Sequence, residues 1–308
     1  MTILVGYPPS RRSRNVLNLA AVLARSSGED LVVCTVVPAP WLPTGATADD
    51  EYHAHLDATA EAALEQARAD LPDDIRATFI VQRARSKPSG LLHAAEEHGA
   101  EMIVLGSSRA GMFGYITLST VAGRLLHSSP IPIALAPRGF RAGPNSRIDR
   151  VTVAYDGSGE TDQLLTATQL ALRQASGVTI RLACFAVQPA PPDTALMRVE
   201  ADQVAAEWTA DVRAAADKVL ARLGDSAPAL AQPDVVVGRG ENWSEALEDI
   251  YWEPGDVLVI GSSRSGPLTR VFLGTHAAKI IRYSPVPVVV VPRKLAARVA
   301  ASASTDRD

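Results

Sequence analysis

Residues Gly106–Arg138 read GSSRAGMFGYITLSTVAGRLLHSSPIPIALAPR, and Gly261–Arg293 read GSSRSGPLTRVFLGTHAAKIIRYSPVPVVVVPR. Aligned without a gap, 13 of the 33 positions are identical. Unrelated sequences of average composition would share roughly one position in sixteen. The substitutions keep the apolar pattern, as with Leu125 against Ile280. The match continues upstream, where Ile3-Leu4-Val5-Gly6-Tyr7 corresponds to Val151-Thr152-Val153-Ala154-Tyr155 and Val37-Pro38 to Val187-Gln188-Pro189. A repeat of this length makes the chain two copies of one domain. Copy one spans 1–138 and copy two 150–293, joined by a Gly-, Pro- and polar-rich linker at 139–149, GFRAGPNSRID. The tail, 294–308, loses the strand pattern and ends in ASASTDRD, so it is expected to be disordered.

Within each copy, short β-branched runs alternate with Ala- and Leu-rich stretches, which predicts βαβ units and a parallel sheet. In copy two the predicted strands are 151–154, 179–187, 234–237, 257–260 and 286–291, with helices starting near Glu160, Val199, Ser244 and Thr275. The expected fold is α/β: two tandem open, doubly wound, five-stranded parallel sheets of order 3-2-1-4-5 with helices on both faces. Ile131–Ala136 and Val286–Val291 would be edge strands, a position that tolerates Pro132 and Pro287.

Composition narrows the function. A net charge of -4 and a pI near 5.9 argue against a nucleic-acid binder, which needs a concentrated basic face. The longest aliphatic runs fall short of the roughly 20 residues that span a bilayer, and Pro8-Pro9 interrupts any leader-like stretch, so neither membrane insertion nor a signal peptide is expected. Cys34 and Cys184 occupy equivalent positions in two cores, which disfavours a disulfide between them and suits a reducing, cytoplasmic compartment.

In an open doubly wound sheet, ligands bind beyond the carboxyl ends of the strands where the order reverses. In copy two, Asp156-Gly157-Ser158 follows strand 1 and Gly261-Ser262-Ser263-Arg264 follows strand 4, so the two turns should face one another. VAYDGS, VLVIG with its glycine loop, the GT pair and SPVPVVVVP together resemble the universal stress protein family over nearly the whole chain. ATP-binding members carry Gly-x2-Gly-x9-Gly followed by Ser or Thr. Copy two gives Gly261-x2-Arg264-x9-Gly274-Thr275, with three of those four positions matched, and His276 comes next. Copy one gives Gly106-x2-Arg109-x9-Ser119-Thr120, and Pro8 stands where copy two has Asp156.

The motif has a physical logic. Glycines let backbone N–H groups approach phosphate oxygens, and a helix N-terminus favours an anion. Arg264 removes one such contact but brings a guanidinium that can fork onto phosphate. Thr275 reads as the cap of the following helix. The resemblance implies that adenosine lies against Ala154, Tyr155, Asp156, Ala186 and Ile260. The weaker counterparts are Gly6, Tyr7, Val36, Leu105 and Gly106, with Pro8 offering neither carboxylate nor N–H.

The same resemblance implies a stress-response protein that binds ATP, with or without Mg²⁺, and couples occupancy to conformation or a partner. It also implies that the two copies pack as an intramolecular pseudo-dimer, with a homodimer or another protein as further partner. The alternative is a nucleotide-independent interaction module in which Arg109 and Arg264 fill the phosphate sites. A Walker A loop is excluded because Met112 and Pro267 stand where its Lys belongs. No hydrolase or metal signature is present, and His53 and His55 are two apart on a helix and do not face each other. Catalysis therefore has no obvious owner, and at most a slow ATPase is expected. Trp41 is expected to pack over the end of the sheet.

Overall fold

The computed structural model describes residues 2–9, 13–39, 47–108, 110–172, 177–187, 203, 206–207, 210–211, 213–215, 217–218, 221, 234–262 and 275–305, with backbone alone at 47–50, 275 and 303–305. The chain divides into two compact units, Met1–Arg147 and Ile148–Asp308. The division falls inside the stretch read as a linker.

Unit 1 contains β1 (Thr2–Gly6), α1 (Arg14–Ser27), β2 (Asp30–Pro38), α2 (Thr47–Asp70), β3 (Ala77–Ala84), α3 (Lys87–Glu97), β4 (Ala100–Gly106), α4 (Thr120–Ser128) and β5 (Ile133–Ala136). Its strands run parallel in the order β3-β2-β1-β4-β5. The central strands are apolar on both faces because helices cover both: Leu4, Val5, Val33, Ile103 and Val104 are fully buried. Helix α1 turns Val16, Leu17, Leu19, Ala20 and Leu23 inward and ends at Gly28, whose φ of 75° closes the last turn onto Ala24.

Unit 2 repeats the plan with β6 (Arg150–Ala154), α5 (Gly159–Ala171), β7 (Thr179–Val187), β8 (Asp234–Gly240), α6 (Trp243–Glu248), β9 (Asp256–Gly261), α7 (Thr275–Tyr283), β10 (Val288–Val291) and α8 (Arg293–Thr305). Its parallel order is β8-β7-β6-β9-β10, the predicted 3-2-1-4-5. The helix expected near Val199 falls largely outside the described residues; the described positions between 203 and 221 are helical, and Arg213 donates to the carbonyl of Val235 on β8.

Two expectations change. Strands β5 and β10 start just after Pro132 and Pro287, not before them. A proline cannot donate to a ladder, but its carbonyl still accepts, from Ile103 and Leu258 respectively. The tail read as disordered is helix α8, which packs on α5. Its alanines carry the highest helix propensity, Pro292 supplies the carbonyl that receives Leu295 and Ala296, and Ala296 is buried at 3% exposure.

Candidate functional site

The carboxyl ends of β6 and β9 open in unit 2 into a cleft of about 520 Å³. That size suits a small-molecule ligand. Strand β6 extends through Tyr155, whose N–H donates to Ala183. The buried Tyr155 ring sends its hydroxyl 2.8 Å to Asp162 of α5, and burial, with this bond, pushes the phenol well above its usual range.

The chain then turns at Asp156-Gly157-Ser158. Oδ1 of Asp156 accepts from the Ser158 N–H at 2.9 Å and the Thr161 hydroxyl at 3.0 Å, while Ser158 caps α5. Gly157 has a φ of 81°, where a side chain would be strained. Partial burial disfavours the Asp156 charge, but the bonds from Ser158 and Thr161 outweigh it, so the carboxyl lies below its ordinary range. Asp156 is exposed and lines the cleft.

Across the switch point, β9 ends at Gly261, with Leu164 of α5 beneath it. Ser262 is 4% exposed; its N–H donates to Val291 and its hydroxyl accepts from the Arg293 N–H at 3.0 Å. One wall of the cleft is aromatic: Phe185 lies 5.9 Å from Trp243, and Trp243 lies 5.2 Å from His276, ring centre to ring centre. On the rim, Arg293 and Glu160 form an ion pair at 3.1 Å.

Ala154, Tyr155, Asp156, Ile260, Gly261 and His276 all line this cleft. Ala186 does not. Side chains alternate along β7, and the residue that β7 turns into the cleft is its neighbour Phe185. Thr275 is the first helical residue of α7 and not its cap, matching Thr120 at the start of α4. Arg264, Gly274, Arg109 and Trp41 lie outside the described residues. Sequence reasoning missed Trp243, Phe185, Glu160 and Arg293. Only Arg293 carried a signal, as the last residue of the repeat.

Unit 1 treats the same place differently. Gly6 is packed so tightly that a Cβ on it would fall 2.7 Å from Leu105 and 3.2 Å from Leu91. Tyr7 and Val36 are buried. The turn after Gly106 closes on itself: Ser108 donates to Thr117, Thr117 donates to the Ser107 hydroxyl, and Gly114 donates to Arg138. The Arg138 N–H returns a bond to Tyr115, and its guanidinium caps the carbonyl of Gly111. Ser119 accepts from the Ala122 N–H at 3.1 Å as the cap of α4. The N–H groups of Ser108 and Thr117 are thus spent inside the loop, and that of Gly114 on Arg138 beyond β5.

Each unit is a doubly wound α/β domain whose crevice falls at the switch point between its first and fourth strands. A family model described as the universal stress protein family matches residues 1–137 and again 147–292. Universal stress protein Rv2319c of Mycobacterium tuberculosis is 37% identical over 300 residues, covering 95% of this chain and all of that protein. The chain therefore belongs to the universal stress protein family, as a tandem of two copies. Among solved structures, a universal stress protein from Archaeoglobus fulgidus has a TM-score of 0.62 at 22% identity, covering 94% of this chain and 98% of that one. A universal stress protein from Pseudomonas aeruginosa reaches 0.56 at 16% identity, covering 98% and 97%. At these identities the likeness is one of fold.

Proposed function

We propose that unit 2 binds an adenine nucleotide, ATP in the first instance, in the cleft between β6 and β9, and that unit 1 has lost that capacity. The observation that carries the reading is the juxtaposition of Asp156 with the Gly261 turn across an open cleft of about 520 Å³. The exposed carboxylate of Asp156 offers an acceptor to a ribose hydroxyl, and the wall of Phe185, Trp243 and His276 offers a flat aromatic surface to a base. Among the described residues no cluster of three ligating side chains stands ready for a metal, so Mg²⁺ would arrive on the nucleotide.

In this reading the protein serves a stress response in the cytoplasm, with nucleotide occupancy of unit 2 biasing a partner contact or a homodimer. Two buried, unpaired thiols suit that compartment. No helix among the described residues is long and apolar enough to cross a membrane. In this reading any ATP turnover is slow. For unit 1 an interaction role is favoured by its self-closed loop.

Titration of the intact chain with ATP by calorimetry, beside an Asp156→Ala variant of verified fold, tests the reading. Saturable binding that the substitution weakens is expected; no heat up to millimolar ATP would leave the interaction-module reading in its place.

A further inference from the structure

The cleft of unit 2 is bordered by an element that the family match does not include. That match ends at residue 292, and helix α8 starts at Arg293. Arg293 and Ala296 of α8 both line the cleft. The backbone of Arg293 is pinned to the head of the turn after β9, because its N–H donates to Ser262, the residue after Gly261. Its side chain lines the cleft and reaches Glu160 in the first turn of α5.

The charges there are unbalanced in a telling way. Among the described lining residues, Arg293 is the only arginine or lysine, against the carboxylates of Asp156 and Glu160. The guanidinium is paired with Glu160 at 3.1 Å, yet the two side chains remain 31% and 39% exposed. An ion pair so open to water holds weakly. A phosphate dianion gives a guanidinium two strong, parallel acceptors and outcompetes a single carboxylate oxygen. In unit 1 the equivalent Arg138 is committed to the carbonyl of Gly111 in its own loop.

We infer that Arg293, at the start of the C-terminal helix, is a phosphate-binding residue of this cleft, held by Glu160 until a phosphorylated ligand displaces that carboxylate. This rests on the adenine-nucleotide reading and sharpens it: the ligand class is a nucleoside phosphate, and the bare nucleoside gains nothing from Arg293. Glu160 acts as a competing anion that sets the threshold for binding.

The test is calorimetry of the full chain with ATP, AMP and adenosine, for the parent, Arg293→Met and Glu160→Gln, with thermal melts to verify each fold. Arg293→Met should weaken ATP by about tenfold, the loss expected for one charge-assisted contact, and leave adenosine within about twofold. Glu160→Gln should strengthen ATP by about two- to fivefold and leave adenosine unchanged, and it stands as an independent arm should Arg293→Met fold poorly. ATP affinity indifferent to both substitutions, or equal losses for ATP and adenosine in Arg293→Met, would overturn the inference while sparing the nucleotide reading. A parent chain that binds none of the three ligands would remove both.

Discussion

Arg150 grips Asp256 through two parallel hydrogen bonds, 2.8 Å from Nε and 2.7 Å from Nη2, joining the first residues of adjacent strands β6 and β9. Behind them lies Arg181, 4% exposed, donating to Thr152 and the Tyr251 carbonyl and stacked 4.9 Å over Trp252. Its Nη2 stands 3.6 Å from Asp256, so one carboxylate faces two guanidinium groups at the end of the sheet opposite the cleft. Removing the carboxylate takes from the buried Arg181 its facing carboxylate and leaves Arg150 with Glu253, 3.2 Å away, so Asp256→Ala should cost about 3–5 kcal/mol. Burial, then repulsion from Arg150, already disfavours the Arg181 charge. Arg181→Met should therefore cost less, about 1–2 kcal/mol for the lost bonds. Urea unfolding of both variants checks the order, and the reverse order would sink this account of the cluster.

Asp156 gives the cleft a pH dependence of definite sign. Its folded-state carboxyl lies below the ordinary range, since the bonds from Ser158 and Thr161 outweigh the opposing effect of burial. Such a group adds stability above its unfolded pKa, about 3.9, and loses it as pH falls through the lower folded value. Asn at 156 keeps an acceptor for Ser158 but no charge, so the parent should exceed Asp156→Asn by less than ~1 kcal/mol at pH 7. That gap should close as pH falls below about 4. Thermal melts of both proteins from pH 7 downward read it; a gap that widens in acid contradicts the assigned hydrogen bonds.

The duplication made most of the fold legible, because the two copies share the strand-ending Tyr7 and Tyr155, the glycine-led turns and the proline-flanked last strands. Period and β-branching located β7 to the residue, at Thr179–Val187. What stayed hidden depends on tertiary neighbours. Nothing local in ENWSEALED announces that Trp243 turns into a cleft built from strands far away in sequence. Helix α8 was hidden because α5, far away in sequence, supplies the surface it packs on. The offset from Ala186 to Phe185 is the one-residue ambiguity that any strand carries when only its run and not its facing is known.

The two thiols should be silent in the folded protein. Cys34 and Cys184 are fully buried on β2 and β7, and burial pushes each up to about 12, far from the thiolate that reacts. An aromatic disulfide reagent at pH 8 should label neither in the native chain within minutes and both in denaturant. Prompt native labelling of either cysteine would mean that its strand opens readily.

Trp243 should report on the ligand's base. Half-buried between Phe185 and His276, it offers a face on which a base stacks, an interaction worth about 1–3 kcal/mol. Adenosine and ATP should both perturb tryptophan fluorescence, and Trp243→Leu should abolish the change and weaken both ligands alike by about tenfold or more. This pattern differs from that of Arg293→Met, which should spare adenosine. Unaltered affinity in Trp243→Leu would move the base elsewhere in the cleft.

Under the proposed function, the asymmetry between the units predicts a stoichiometry. In unit 1, Pro8 stands in place of the acid, Leu105 and Leu91 pack onto Gly6, the turn after Gly106 spends the N–H groups of Ser108 and Thr117 on itself, and that of Gly114 goes to Arg138. Restoring the carboxylate with Pro8→Asp supplies one acceptor but neither opens the packing at Gly6 nor frees those donors. The parent chain should thus bind one ATP, and Pro8→Asp should still bind one, with that single site weakened in a chain carrying Asp156→Ala. Two sites in the parent would show that the closed loop of unit 1 opens for a ligand at little cost. A second site appearing only in Pro8→Asp would make the missing acid, and not the packed crevice, the reason that unit 1 is silent.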